Sequence, residues 1–113
     1  YWDFEFGDGS GEPRDSSSAS IAACGMLEMA KYMEKEEAAY YTSIAKKIME
    51  SLAESYAVKD LKESNGLVLH STYSRKSPYN TCTPEGVDEC NIWGDYFYME
   101  ALTRLSKDWN PYW

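Results

Sequence analysis

The chain has 113 residues, 43% hydrophobic and 27% charged, which suits one domain with a modest core. A formal net charge of −8 argues against nucleic acid, which needs a basic surface, and disfavours anionic membranes. A local Arg or Lys can still take an anionic sugar, because charge is screened over about 10 Å, and the ten Tyr and four Trp suit a dense core or a surface that packs on sugar C–H faces.

Residues 1–14 read as an ordered loop punctuated by Gly7, Gly9, Gly11 and Pro13. Asp15 or Ser16 can cap a helix start, since a short side-chain oxygen accepts from a free helix N–H. The predicted helix runs to about Met33. Ala19, Ile21, Ala22, Ala23, Cys24, Met26 and Leu27 make its first half apolar nearly all round, the mark of an inner helix that needs cover on every side. Ala22, Ala23 and Gly25 are small enough for neighbouring helices to approach closely.

Lys35-Glu36-Glu37 opens a second predicted helix, reaching about Tyr56. Tyr41, Ile44, Ala45, Ile48, Met49, Leu52 and Tyr56 form a single helical stripe, with Lys46, Lys47, Glu50 and Glu54 facing away. This is an amphipathic outer helix, joined to the first as an antiparallel hairpin with a turn near Glu34. Asn65-Gly66 marks a turn. Leu67-Val68-Leu69, followed by His70, Thr72 and Tyr73, predicts a short strand. Residues 74–86 read as a loop, and Val87 to Cys90 as a second extended piece. From about Asn91 a third helix carries Ile92, Trp93, Tyr96, Phe97, Met99, Ala101, Leu102 and Leu105 over much of its circumference, again an inner helix. Trp109, Tyr112 and Trp113 anchor the tail. No apolar run reaches the roughly 20 residues that cross a bilayer. The pattern alone is mostly α: a helical hairpin with an incomplete core.

Cys24 lies in an apolar stretch and reads as a buried thiol. Cys82 and Cys90 flank a loop, and their spacing leaves open whether they pair. Three Cys and one His without regular spacing do not make a zinc site. Asp3, Asp15, Asp88, Glu89 and Asp95 are read as structural: Asp15 as a cap, Asp88 and Glu89 as favourable charges at a helix start, Asp95 one turn inside it. The opening Tyr1-Trp2-Asp3-Phe4, without an initiator Met, predicts a piece of a larger domain.

Three stretches together carry a resemblance. The first is Pro13-Arg-Asp-Ser-Ser-Ser-Ala-Ser-Ile-Ala-Ala-Cys-Gly-Met-Leu-Glu-Met-Ala30. The second is Leu67-Val-Leu-His-Ser-Thr-Tyr73. The third is Gly86-Val-Asp-Glu-Cys-Asn-Ile-Trp-Gly-Asp-Tyr-Phe-Tyr-Met-Glu-Ala-Leu102, closing with Lys107-Asp-Trp-Asn-Pro-Tyr-Trp113. In this order they resemble the C-terminal segments of glycoside hydrolase family 88, the unsaturated glucuronyl hydrolases. The resemblance implies an all-α fold, the closing part of an (α/α)6 barrel: a helical hairpin plus a further inner helix, with a short extended or β insertion. Residues 1–113 would form a C-terminal fragment of one catalytic domain. The sequence departs from the family at Cys90, where Gly is usual.

The implied activity is removal of an unsaturated uronic acid from the non-reducing end of oligosaccharides left by polysaccharide lyases. A carboxylic acid protonates the C4=C5 vinyl ether, water adds, and the resulting hemiketal opens with loss of the glycosidic bond. No metal or organic cofactor is implied. The family's catalytic aspartates lie in its N-terminal portion, so no catalytic residue is carried over, and this chain is expected to be inactive by itself. Its expected partners are the unsaturated uronic-acid oligosaccharide and the remainder of the barrel, with no nucleic acid and no membrane, in the cytoplasm or a periplasm.

The substrate-binding candidates are Arg14, Asp15, His70, Tyr73 and Trp93. Inner-helix starts face the sugar cleft in this resemblance, so Arg14 could take a carboxylate or sulfate in bidentate fashion; the plainer reading is an ion pair that fixes the loop. Tyr73 could stack on the leaving sugar. The lone His70 is more often structural, and Trp93 and Tyr96 pack cores more often than they line clefts. Arg75-Lys76 would suit a sulfate. The alternatives are an unsaturated rhamnogalacturonyl hydrolase and a non-catalytic helical sugar- or protein-binding module.

Overall fold

A computed structural model describes residues 1–73, 87 and 89–110. Its helices are α1 (Ser16–Met29), α2 (Lys35–Ser55) and α3 (Ile92–Ser106), with a 3-10 turn at Ala30–Tyr32 after α1. Each start has a local cause. Asp15 is extended and its carboxylate accepts from Ser17 N at the head of α1. Asn91 does the same for Gly94 N at α3. Glu34 gives α2 no side-chain cap, but Glu36 and Glu37 complement the positive end of the helix dipole. Met33, extended at φ −102°, ends the 3-10 turn and folds α2 back.

α1 lies between the other two. Its head meets the tail of α2, where Ser16 and Ala19 share a hollow with Ile48, Ser51 and Leu52, so these helices are antiparallel. α3 runs parallel to α1: Trp93 bonds to Ser17, the Phe97 carbonyl to the Cys24 thiol, and Arg104 to Glu28. Two parallel helices backed by one antiparallel helix is the inner–outer–inner order of an α/α barrel segment. The core is Ala23, Cys24, Ala45, Met49, Leu52, Val68, Tyr98 and Ala101, with Ile48, Tyr56 and Leu105 packed on it.

The close approach of α1 falls elsewhere than at Ala22 and Gly25. Those two are exposed, and a Cβ on Gly25 would meet nothing within 4 Å. The buried face is instead Ser16, Ser17, Ser20, Ala23 and Cys24. Its tightest point is at Gly94, where a Cβ would sit 3.1 Å from that of Ser17.

The short β insertion is not formed. Among the described residues there is no strand, only isolated antiparallel bridges Ala57↔Val68 and Ser71↔Glu89. Two features stop a ladder. His70 takes φ +62°, a left-handed turn that breaks the extended run. Leu67 and Val68 give their N–H groups to the Asp95 carboxylate, both at 3.0 Å, rather than to a neighbouring strand. Asp95 is thus a structural clamp from α3 onto this segment. The loop 74–86 with Arg75-Lys76, the Cys82–Cys90 pairing, Asp88, and the anchors Tyr112 and Trp113 lie outside the described residues.

At the far end of the parallel pair, Arg104 Nε donates to Glu100 Oε1 at 2.8 Å and its Nη1 to Glu28. Lys31 also reaches Glu28 at 2.8 Å. Hydrogen bonds from Lys31 and then Arg104 hold the Glu28 carboxyl down to about 2. A folded value below the unfolded one stabilises above the unfolded value and loses that stability as pH falls toward the folded one. Acid titration of the melting temperature should therefore fall between about pH 4.5 and pH 2, and Glu28→Gln should flatten that window. Beside this cluster, burial and then the Glu100 charge push the Cys24 thiol up to about 12, so it stays protonated.

Candidate substrate-binding site

All five sequence-level candidates gather round the start of α1, on two sides of it. Asp15 is the hub. One carboxylate oxygen accepts from Ser17 N at 3.0 Å, Ser17 Oγ at 2.6 Å and Thr72 N at 3.1 Å. Thr72 Oγ1 also donates to the Arg14 carbonyl at 2.8 Å. These bonds fix the segment that carries Tyr73 against the helix head.

Ser16 secures the same join one residue earlier. Its hydroxyl donates to the Leu69 carbonyl at 2.7 Å and lies 2.9 Å from Ser71 Oγ, and its N–H donates to the His70 carbonyl. His70 can serve that carbonyl because its left-handed backbone turns the chain there. Its ring meets Tyr56 edge to face at 5.7 Å.

Trp93, in the first turn of α3, donates Nε1–H to Ser17 Oγ at 3.2 Å. Its ring lies 5.6 Å from that of Tyr73 at an interplanar angle of 39°. Both remain open to solvent, Tyr73 at 45% and Trp93 at 37% exposure. Tyr96 is open to a similar degree, at 39%. Asp15, Tyr73 and Trp93 make one connected unit that presents two aromatic faces.

Arg14 and His70 point their side chains elsewhere. They line a hollow with Ser51, Ser55 and Tyr56, on the α2 side of the helix head. It adjoins a second hollow of about 370 Å³ walled by Tyr1, Arg14, Ile48 and Tyr56. The Arg14 guanidinium sits 5.1 Å from the Tyr1 ring centre and 3.4 Å from Asp8. The loop-fixing ion pair is thus present, but with both side chains well exposed it adds little stability.

Sequence reasoning named Ser16 only as a possible cap and gave Ser17, Ser71 and Thr72 no role at the site. The run Ser16–Ser20 reads as low complexity, although its position just behind a capping Asp is the signal that its hydroxyls serve the helix head. Among the described residues no group of three or more His, Cys, Asp or Glu could hold a metal ion, and no helix is long and apolar enough to cross a membrane.

Three helices in this order form a segment of an α/α barrel. The comparisons with known proteins lead to the same class. No family model matches the chain. The unsaturated chondroitin disaccharide hydrolase of Streptococcus pyogenes serotype M1 is 48% identical over 115 residues, covering 100% of this chain and 27% of the relative. The crystal structure of unsaturated glucuronyl hydrolase from Streptococcus agalactiae superposes with a TM-score of 0.84 at 44% identity, covering 100% of this chain and 29% of that one. A variant of that enzyme complexed with dGlcA-GalNAc6S gives 0.82 at 43% identity, with the same coverage. The chain is homologous over its whole length to a segment of the unsaturated glucuronyl hydrolases, glycoside hydrolase family 88, and spans a little over a quarter of their length.

Proposed function

We propose that this chain is the closing part of a hydrolase that removes unsaturated uronic acid from the non-reducing end of lyase-generated oligosaccharides, and that its contribution is substrate binding. The observation that carries this reading is the open Tyr73–Trp93 pair held by Asp15, in a chain similar throughout to such enzymes. Tyr73 and Trp93 present flat faces to the sugar. Asp15 holds both in place. Arg14 and His70 supply polar groups in the separate hollow on the α2 side of the helix head, and Arg75-Lys76 suits a sulfate on the second sugar. An unsaturated chondroitin disaccharide is the substrate that the relatives' names favour. The acid that protonates C4=C5 is assigned to the remainder of the barrel.

The test is a chimera in which these residues replace the matching segment of the S. pyogenes relative. Loss of the ultraviolet absorbance of the conjugated uronate is expected with the chimera and not with this chain alone. Removing the ring in the chimera, by Trp93→Ala, should raise KM for the unsaturated chondroitin disaccharide by roughly tenfold, the scale of one lost stacking contact. A chimera that folds and hydrates only a pectin-derived unsaturated disaccharide would move the reading to the rhamnogalacturonyl type. One that folds and hydrates neither would sink the hydrolase reading.

A further inference from the structure

We propose that Ser17 is a positioning residue that sets the tilt of the Trp93 indole, and so the geometry of the aromatic platform. The proposal rests on the sugar-binding reading above for its consequence, but not for its structural content. Ser17 is 2% exposed, so its hydroxyl must find its partners within the protein. It has one proton. At 2.6 Å from Asp15 Oδ1 that proton is committed to the carboxylate, because an ionised carboxylate only accepts. The hydroxyl oxygen is left as an acceptor, and the indole N–H, which can only donate, reaches it at 3.2 Å. The chain of bonds therefore has one direction, from indole to hydroxyl to carboxylate.

The same Asp15 oxygen receives Thr72 N–H, one residue before Tyr73. A single carboxylate thus governs both rings, Tyr73 through the backbone and Trp93 through Ser17. Gly94 sits at this contact: a Cβ there would lie 3.1 Å from that of Ser17 and 2.8 Å from Asn91 Oδ1, so a larger residue would press α3 away from Ser17. Removing the Ser17 hydroxyl leaves Thr72 and the helix cap in place, since Ser17 donates its backbone N–H to Asp15 separately. The indole alone loses its partner.

The test uses Ser17→Ala in the full chain, with and without Trp93→Phe, which isolates the Trp93 signal from the other tryptophans. Acrylamide quenching of Trp93 emission should rise on Ser17→Ala without ligand. The Kd for an unsaturated chondroitin disaccharide should weaken roughly fivefold to tenfold, the scale of one lost hydrogen bond. In the Trp93→Phe background Ser17→Ala should change the Kd no further. Unchanged quenching, or an equal loss of affinity in both backgrounds, would overturn the proposal. If the unsubstituted chain does not bind the disaccharide, the sugar-binding reading is what fails for this chain, and the quenching result still decides the role of Ser17. If Ser17→Ala does not fold, Ser17→Cys keeps the volume with a weaker acceptor and reads the same quenching.

Discussion

Arg104→Ala should cost about 3–5 kcal/mol of unfolding free energy at neutral pH. Its side chain is 9% exposed and that of Glu100 is 5% exposed. The guanidinium is the cation that Glu100 meets at 2.8 Å. Without it, a carboxylate stays buried between two helices without its cation. The loss also reaches the tail, because the guanidinium lies 5.6 Å from the centre of the Trp109 ring. Lys31→Ala makes the control. It removes a bond to the same Glu28, but Lys31 is 43% exposed, so the change should stay below about 1 kcal/mol. Replacing the buried pair together, Arg104→Met with Glu100→Leu, should recover most of the loss, since removing both charges leaves neither unpaired. Urea unfolding of the four proteins measures all of this. A cost for Arg104→Ala no larger than that for Lys31→Ala would show that water reaches Glu100.

Gly66→Ala should cost about 1–3 kcal/mol by overpacking. A Cβ at Gly66 would lie 2.5 Å from Cys90 Cβ and 2.7 Å from its sulfur, with Asp95 Oδ2 at 3.2 Å. None of these can yield easily. Cys90 sits between the Glu89 bridge and the Asn91 cap, and Asp95 is clamped to Leu67 and Val68. The clash belongs to the Cys90 side chain, so Cys90→Gly in the same protein should relieve it, although each change alone destabilises. Cys90→Ala should not, because the nearest atom is the Cβ that alanine keeps. Thermal unfolding of the two single and the double variants gives the coupling. Additive costs for Gly66→Ala and Cys90→Gly would refute this contact.

The helices were legible because their signals are local. The Asp15 cap, the stripe from Tyr41 to Tyr56 and the start at Asn91 each depend on residues within a turn or two, and the structure places all three where the pattern puts them. The arrangement of the candidate residues was not legible. That Asp15 joins Tyr73 to Trp93 depends on Thr72 lying 57 positions away and on Ser17 facing Trp93 across 76. No periodicity encodes such distances. The predicted strand failed for a related reason. Leu67-Val68-Leu69 has strand composition, but the Leu67 and Val68 N–H groups go to a carboxylate on α3 and only the Leu69 N–H goes to a backbone carbonyl, that of Tyr56, and composition does not name partners.

The middle position of α1 also bears on how the chain comes to its fold. The hairpin of α1 and α2 closes over a few residues, so its loop entropy is small and it can assemble early. α3 must return across the whole segment between Ser55 and Ile92 to find the other side of α1. Its docking closes a long loop, and the contacts that repay that cost are the Ser17–Trp93 bond at one end and the Glu28–Arg104 pair at the other. The platform and the buried charge cluster therefore both depend on that docking. The aromatic pair exists only with α3 in place, so a molecule that grips both rings favours the docked state.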